Sequence, residues 1–102
     1  YGTTKSIEGK IYSGMKVVLI DDVITTGNSV INAIKQLKDA GLSISDVYVI
    51  INRLEGASNA LELEEVNLCQ LTDVLEITKI LFQEKLVSKE ILDKINNQIN
   101  QN

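Results

Sequence analysis

The amino-acid sequence predicts an α/β protein built on a parallel sheet. Runs of Val, Ile and Leu typical of strands alternate with amphipathic segments typical of helices, which is the pattern of βαβ units. Because the apolar runs are nearly continuous, they indicate strands that are buried on both faces. The sequence contains only three such runs, so we expect further strands, before Tyr1 or from a partner chain, to complete the sheet.

The elements are predicted in this order: a strand over 15–20, a helix from 28 or 29 to about 40, a strand over 47–51, a short helix over 59–65, a strand over 66–71, and two helices that begin after residues 72 and 88. Asn28 or Ser29 is the expected cap of the first helix, and Gly41 its stop. Thr72 and Ser88 are the expected caps of the last two helices.

The composition limits the kinds of partner that the protein binds. The 102 residues carry a formal net charge of −4, include no His and lack a basic cluster, which argues against nucleic acid and anionic membranes. No apolar run approaches the roughly 18 residues that span a bilayer. No signal peptide is recognisable, so a cytoplasmic protein is expected. Cys69 is the only cysteine and is expected to be a buried structural thiol.

The most informative segment of the sequence is 17–30. Four apolar residues lead into Asp21 and Asp22, and a small, hydroxyl-rich loop follows before the first predicted helix. Open parallel sheets bind ligands at the carboxyl ends of their strands, where these two acids fall. The carboxylates suit sugar hydroxyls, and the backbone N–H groups, hydroxyls and helix N-terminus after them suit a phosphate. The segment predicts a phosphorylated-sugar site; the alternative is an ordinary surface turn with two acids.

A nucleotide P-loop is excluded, because the spacing G-x-x-x-x-G-K-[ST] and its lysine are absent. The segment instead resembles the 5-phosphoribosyl-1-diphosphate (PRPP) signature of the type I phosphoribosyltransferases. By that resemblance, Asp21 and Asp22 are the catalytic carboxylates that hold the ribose 2- and 3-hydroxyls, and the loop from Thr25 to Ser29 wraps the 5-phosphate. The residues that the resemblance assigns to PRPP are Asp21, Asp22, Val23, Ile24, Thr25, Thr26, Gly27, Asn28 and Ser29.

The segments that flank this signature resemble one branch of the family, the orotate phosphoribosyltransferases. Residues 1–9 are similar to the end of the mobile catalytic loop, marked by Tyr1 and Gly2, and residues 52–57 are similar to the Asp-Arg-x-x-Gly-Gly segment. Residues 79–102 resemble the C-terminal helices of the orotate domain in bifunctional UMP synthases. The resemblance implies the C-terminal part of one Rossmann-like domain that lacks its N-terminal strands, with the PRPP motif at 17–30 and helices at 73–100.

The resemblance also assigns contacts with the base. Thr25 and Arg53 would bind orotate, and the planar guanidinium of an arginine suits its carboxylate. The alternative for Arg53 is an ion pair with Glu55 or another acid. The sequence departs from the pattern at Asn52, which stands where the family has Asp, and at Ala57, which replaces a glycine.

The activity that the resemblance implies is transfer of the phosphoribosyl group from PRPP to orotate, which gives orotidine 5-monophosphate and pyrophosphate. Mg²⁺ would be bound mainly through PRPP, and the protein would be a homodimer, with a fused orotidine monophosphate decarboxylase domain as a further expectation. The family's loop lysines would precede Tyr1, so the 102 residues alone are expected to be inactive. The alternatives are a non-catalytic PRPP-sensing module and a transferase for another base.

Overall fold

The computed structural model describes residues 12–100 of the chain. The elements in this range are β1 (Lys16–Ile24), α1 (Asn28–Asp39), β2 (Ser43–Asn52), α2 (Ala57–Leu63), β3 (Asn67–Asp73), α3 (Val74–Gln83) and α4 (Lys89–Asn100). The predicted α/β class and the predicted order of strands and helices are confirmed.

The three strands form a parallel sheet in the order β1-β2-β3. Each new strand is therefore added on the same side of the previous one. Because connections between neighbouring parallel strands are right-handed, this order places α1 and α2 on the same face of the sheet. The two helices contact one another there, and they also contact β2 and β3 respectively.

The hydrophobic core lies between this covered face of the sheet and the two helices. Its buried side chains come from the sheet, from the two helices and from the turns that follow them, and all are aliphatic. The sequence contains a single Phe. The core residues are Ile24, Val30, Ile34, Leu37, Leu42, Ile44, Val47, Val49, Ala57, Leu61 and Val66.

The opposite face of the sheet is open among the described residues, so burial of the strands on both faces is not seen within this segment. Large apolar side chains lie exposed on it: Val18, Ile20, Tyr48, Ile50 and Leu71. Ile20 and Leu71 are 77% and 78% exposed. The physical reason is the strand order, which sends both crossover helices to one face. Cys69, expected to be buried, is accordingly only half-buried on β3.

β1 is longer than predicted. Its pairing with β2 continues past Ile20, through Asp21 opposite Val49, and ends with Ile24 opposite Asn52. Backbone pairing does not require apolar side chains, so the end of the apolar run does not mark the end of the strand. The two acids therefore lie within the last four residues of β1 rather than after it.

Three helices end with the same backbone turn. The residues in the left-handed conformation are Gly41, Glu65 and Lys85, with φ values of 84°, 60° and 60°. After α1, the Gly41 N–H donates to Lys38 O at 2.9 Å, and the next N–H donates to Leu37 O at 3.0 Å. These two hydrogen bonds together form the Schellman motif, for which glycine is favoured. The predicted stop at Gly41 is confirmed, whereas the other two positions hold residues with a Cβ.

The caps of the last two helices divide between a wrong prediction and a correct one. Thr72 is not a cap, because it is paired with Ile51 in the sheet. Asp73 caps α3 instead, with its carboxylate accepting from the Glu76 N–H at 2.8 Å. Ser88 caps α4 as predicted, its hydroxyl accepting from the Ile91 N–H at 3.3 Å.

α3 and α4 extend the molecule away from the sheet. α3 contacts β3 and α4, and α4 has no fully buried residue. The described segment is accordingly elongated, with extents of 51 × 24 × 21 Å. No helix within residues 12–100 is both long enough and apolar enough to cross a membrane.

Candidate functional site

The carboxyl ends of β1 and β2 bring two loops together. Ile24 and Asn52, the last residues of these strands, are paired in register. The Arg53 N–H then donates to Ile24 O at 3.0 Å. The loop that begins at Thr25 and the loop that begins at Arg53 therefore leave the sheet side by side. Arg53 thus lies at the same sheet edge as the two acids.

Asp21 and Asp22 are held by the backbone that follows them. One oxygen of Asp21 accepts from the Asp22 N–H at 2.9 Å, and one oxygen of Asp22 accepts from the Val23 N–H at 2.8 Å. Adjacent side chains of a strand point to opposite faces of the sheet. The burial of the two acids follows that rule, since Asp21 is half-buried and Asp22 is exposed. The two carboxylates are therefore not equivalent.

The loop after β1 surrounds a hollow of about 230 Å³ that is lined by residues 23–30. Gly27 shapes it, with φ at 89°, a left-handed value that residues with a Cβ rarely adopt. A Cβ on Gly27 would lie 3.2 Å from Leu61 Cδ1 and 3.5 Å from Ala57 Cβ. The loop therefore packs against the first turn of α2, and the methyl group of Ala57 is accommodated because position 27 has none.

The first turn of α1 faces this hollow, and its only side-chain acceptor among the described residues is the Thr26 hydroxyl, 3.5 Å from the Asn28 nitrogen. The cap residue is Gly27, so the prediction that Asn28 or Ser29 caps the helix is wrong. The helix begins one residue earlier than such a cap requires, because the Ile31 N–H already bonds to Gly27 O at 2.8 Å. The first turn carries no acidic residue. Its N–H groups and the positive end of the helix dipole therefore form a local environment suited to an anion.

Arg53 is the cation nearest to this edge on the second loop. Its side chain is 57% exposed, and its Nε lies 3.3 Å from Glu55 Oε2. The ion pair with Glu55 that the sequence left open as an alternative is thus present. Glu55 Oε2 is buried and forms no hydrogen bond, so the contact is an ion pair that does not take up the five N–H donors of the largely exposed guanidinium.

Asn52 is buried at the base of the same loop, 2% exposed. Its Oδ1 accepts from the Leu54 N–H at 2.8 Å, and its Nδ2 donates to Gln70 Oε1, also at 2.8 Å. Gln70 Nε2 donates in turn to Asp73 Oδ2 at 3.2 Å. We call Asn52, Gln70 and Asp73 the amide network. It connects the end of β2 through β3 to the start of α3.

Sequence reasoning missed two members of the amide network. Asp73 carries a readable signal, since an acid three residues before Glu76 at the start of an apolar segment is typical of a helix cap. Gln70 carries none, because its role depends on the register of β3 against β2. Tyr1 and Gly2, assigned to the mobile loop by resemblance, lie outside the described residues.

These parts define a class of site. A parallel strand ends in two carboxylates and leads through a left-handed glycine into a helix whose first turn is open to an anion. Such an arrangement can receive an anion at the carboxyl edge of an α/β sheet. Residues 2–74 match the family model of the phosphoribosyl transferase domain. Because the match covers more than half of the chain, the chain belongs to the phosphoribosyltransferase family.

Known relatives agree with this placement. An orotate phosphoribosyltransferase from Methanocaldococcus jannaschii is 44% identical over 77 residues, which are 76% of this chain and 44% of that protein. The chain spans about half the length of the curated relatives that it matches. The resemblance to orotate phosphoribosyltransferases is confirmed.

Solved structures agree as well. Orotate phosphoribosyltransferase from Mycobacterium tuberculosis, in complex with PRPP, matches with a TM-score of 0.61 and 30% identity over 66% of this chain and 40% of that chain. UMP synthase from Leishmania donovani matches with a TM-score of 0.83 over 92% of this chain and 21% of that chain. At 23% identity, the second match shows likeness of fold, and it includes the region of α3 and α4.

Proposed function

We propose that this chain forms the PRPP-binding part of an orotate phosphoribosyltransferase. The observation that carries the proposal is the hollow lined by residues 23–30, directly after the carboxylates of Asp21 and Asp22. The relative from M. jannaschii supports orotate as the acceptor.

The loop after β1 would bind the sugar phosphate. The 5-phosphate would occupy the hollow, where it accepts hydrogen bonds from the first-turn N–H groups of α1 and from the hydroxyls of Thr25, Thr26 and Ser29. The carboxylates of Asp21 and Asp22 would accept hydrogen bonds from the ribose hydroxyls. Because each carboxylate is already oriented by one backbone N–H, little side-chain freedom is lost when the sugar binds.

The loop after β2 would bind the base. Arg53 and Thr25 begin from paired strand ends, so a base held between them lies next to the ribose. The exposed guanidinium donors of Arg53 would bind the orotate carboxylate bidentately. In the reaction, the bond from C1 to pyrophosphate breaks while a bond from C1 to a ring nitrogen of orotate forms, and that nitrogen loses its proton. Carboxylates beside the ribose stabilise the positive charge that develops on the ring.

Magnesium fits this donor set only in part. Two neighbouring carboxylates are hard oxygen ligands of the kind that Mg²⁺ takes, but residues 12–100 contain no cluster of three or more side chains that could hold a metal. The ion would therefore be bound mainly by substrate oxygens and water, close to Asp21 and Asp22. When bound, it neutralises charge on the departing pyrophosphate.

The remaining parts of the proposal concern the location, the oligomeric state and the domain organisation of the protein. The protein would be cytoplasmic and would act as a homodimer. A fused orotidine monophosphate decarboxylase domain belongs to the same proposal. The open sheet face supports a larger assembly, because exposed apolar surface of this kind is normally covered.

A PRPP-sensing module is the second candidate function, and the ion pair between Arg53 and Glu55 favours it, because a paired arginine needs no base to satisfy it. Binding of the base separates the two. An enzyme binds both PRPP and orotate and forms orotidine monophosphate, whereas a sensor binds PRPP alone. A transferase for another base would bind that base in preference to orotate.

The test is a calorimetric titration of the intact protein that carries this chain with PRPP and then with orotate, combined with an assay for orotidine monophosphate. Asp22→Asn keeps the shape of the side chain and removes its charge, so PRPP affinity should fall by about 1.5–3 kcal/mol. Asp39→Asn, at an exposed position at the far end of α1, is the matched control and should leave PRPP affinity unchanged. Equal PRPP affinity in both variants and the wild type would refute the assignment of the site.

A further inference from the structure

We infer that Asn52 is a positioning residue for Arg53, and that the direction of the hydrogen bonds in the amide network requires an amide rather than a carboxylate at position 52. The inference rests on the proposed role of Arg53 in binding the base. Asn52 itself is too deeply buried to contact a substrate, since only 2% of it is exposed.

The direction of the hydrogen bonds is set at both ends of the network. At one end, the Leu54 N–H can only donate, so it takes Asn52 Oδ1 and leaves Nδ2 to face Gln70. At the other end, the carboxylate of Asp73 accepts from Glu76 N and from Gln70 Nε2. Gln70 must then present its Oε1 to residue 52. Residue 52 therefore has to supply a donor, which Asn has and an ionised Asp lacks.

The network acts on Arg53 through the backbone. The bond from Leu54 N to Asn52 Oδ1 closes a turn of three residues with Arg53 at its centre. The same turn holds Leu54 at φ 60°, a left-handed conformation that is unfavourable for a leucine. On the opposite side, the Arg53 N–H is bound to Ile24 O. Strained backbone held by a buried side chain is typical of positions where geometry serves a ligand.

The position of the α3 cap is part of the same arrangement. Asp73 is paired in register with Asn52 and also caps α3. The start of α3 and the turn around Arg53 are thus joined by one continuous set of hydrogen bonds. A change at residue 73 is expected to reach the base-binding loop through Gln70 and Asn52.

A double-mutant cycle in the intact protein tests both parts of the inference. Asn52→Asp places a carboxylate against Gln70 Oε1, and Asp73→Asn removes the acceptor of Gln70 Nε2, so each single variant breaks the network. The double variant N52D/D73N restores every bond, because Gln70 can turn its amide over and donate to residue 52 while it accepts from residue 73. Asn96→Asp, on the exposed surface of α4, is the matched control.

Each single variant should raise the KM for orotate about tenfold, the loss that corresponds to one broken hydrogen bond of the amide network. The dissociation constant for PRPP should stay within a factor of about two, and kcat should change less than KM. The double variant should return the KM for orotate to within about threefold of the wild type. If Asn52→Asp fails to fold, Gln70→Met removes the middle of the network at an exposed position and should raise the same KM.

The opposing outcomes are distinct. The two substitutions could prove coupled in the free energy of unfolding while the KM for orotate stays unchanged in every variant. That result would overturn the positioning role and show that the network is structural. A double variant no better than the worse single variant would overturn the direction of the hydrogen bonds. A wild-type protein that does not bind orotate would contradict the proposed function itself, before any variant is compared.

Discussion

Gly27→Ala is the substitution that best tests how the loop after β1 is built. Two penalties add at this position. A residue with a Cβ at φ 89° incurs about 1–2 kcal/mol for the left-handed conformation. The new methyl group would also lie 3.2 Å from Leu61 Cδ1, and Leu61 is fully buried and cannot move aside easily. Overpacking of this kind costs about 1–3 kcal/mol. We expect the free energy of unfolding to fall by about 2–5 kcal/mol in total.

Gly56→Ala supplies the matched control for that experiment. Gly56 also has a left-handed backbone, with φ at 102°, but nothing lies within 4 Å of the position of its Cβ. It should therefore lose only the conformational part, about 1–2 kcal/mol. The assay is urea denaturation of the intact protein, followed by PRPP titration of the folded variants. Only Gly27→Ala should weaken PRPP binding, since its loop has to move away from α2.

Two results would refute this reasoning about Gly27. Equal losses of unfolding free energy in Gly27→Ala and Gly56→Ala would show that the contact with Leu61 costs nothing. Wild-type PRPP affinity in a folded Gly27→Ala variant would show that the loop geometry does not matter for the phosphate.

Three further predictions concern the base, the helix ends and the open sheet face. Arg53→Ala should weaken orotate binding by about 1.5–3 kcal/mol and spare PRPP; equal losses for both ligands would make Arg53 a structural residue. Lys85→Gly should raise the free energy of unfolding by up to about 1 kcal/mol, because it relieves a left-handed residue at an exposed helix end; a lower denaturation midpoint would count against it. The isolated 102 residues should form no orotidine monophosphate and should self-associate in sedimentation experiments through the open face. A monomer with a sharp thermal transition, or measurable product, would contradict this.

The sequence predicts the order of the elements well because their periodicity is local. Continuous apolar runs predict the strands, and amphipathic segments predict the helices. The acids after the first apolar run predict which edge of the sheet binds a ligand. The ends of the strands are harder to predict from the sequence, since β1 continues through Asp21 to Ile24 by backbone pairing that is independent of side-chain type. The open face of the sheet is a second limit: the apolar runs do not show that both crossover helices lie on one side.

The amide network shows a third kind of limit. Asn52 stands out in the sequence only as a departure from a motif. In the structure, the same residue is bonded to Gln70, which is 18 residues further along the chain. Such a partner depends on the register of β2 against β3, which the two residues themselves do not reveal because they lie on different strands.

The pairing of Ile24 with Asn52 has a consequence for how this protein can change its preference for a base. Neighbouring strands lie about 4.8 Å apart, so the starting points of the two ligand-binding loops are separated by a fixed backbone distance. Within the proposed function, one loop holds the sugar phosphate that all substrates share, and the other holds the base. Exchange of residues 53–56 alone, followed by binding measurements with several bases, would show whether preference moves with that loop while PRPP affinity remains. Modularity of this kind allows acceptor preference to diverge through one short segment, whereas the sheet and the phosphate loop remain a common framework.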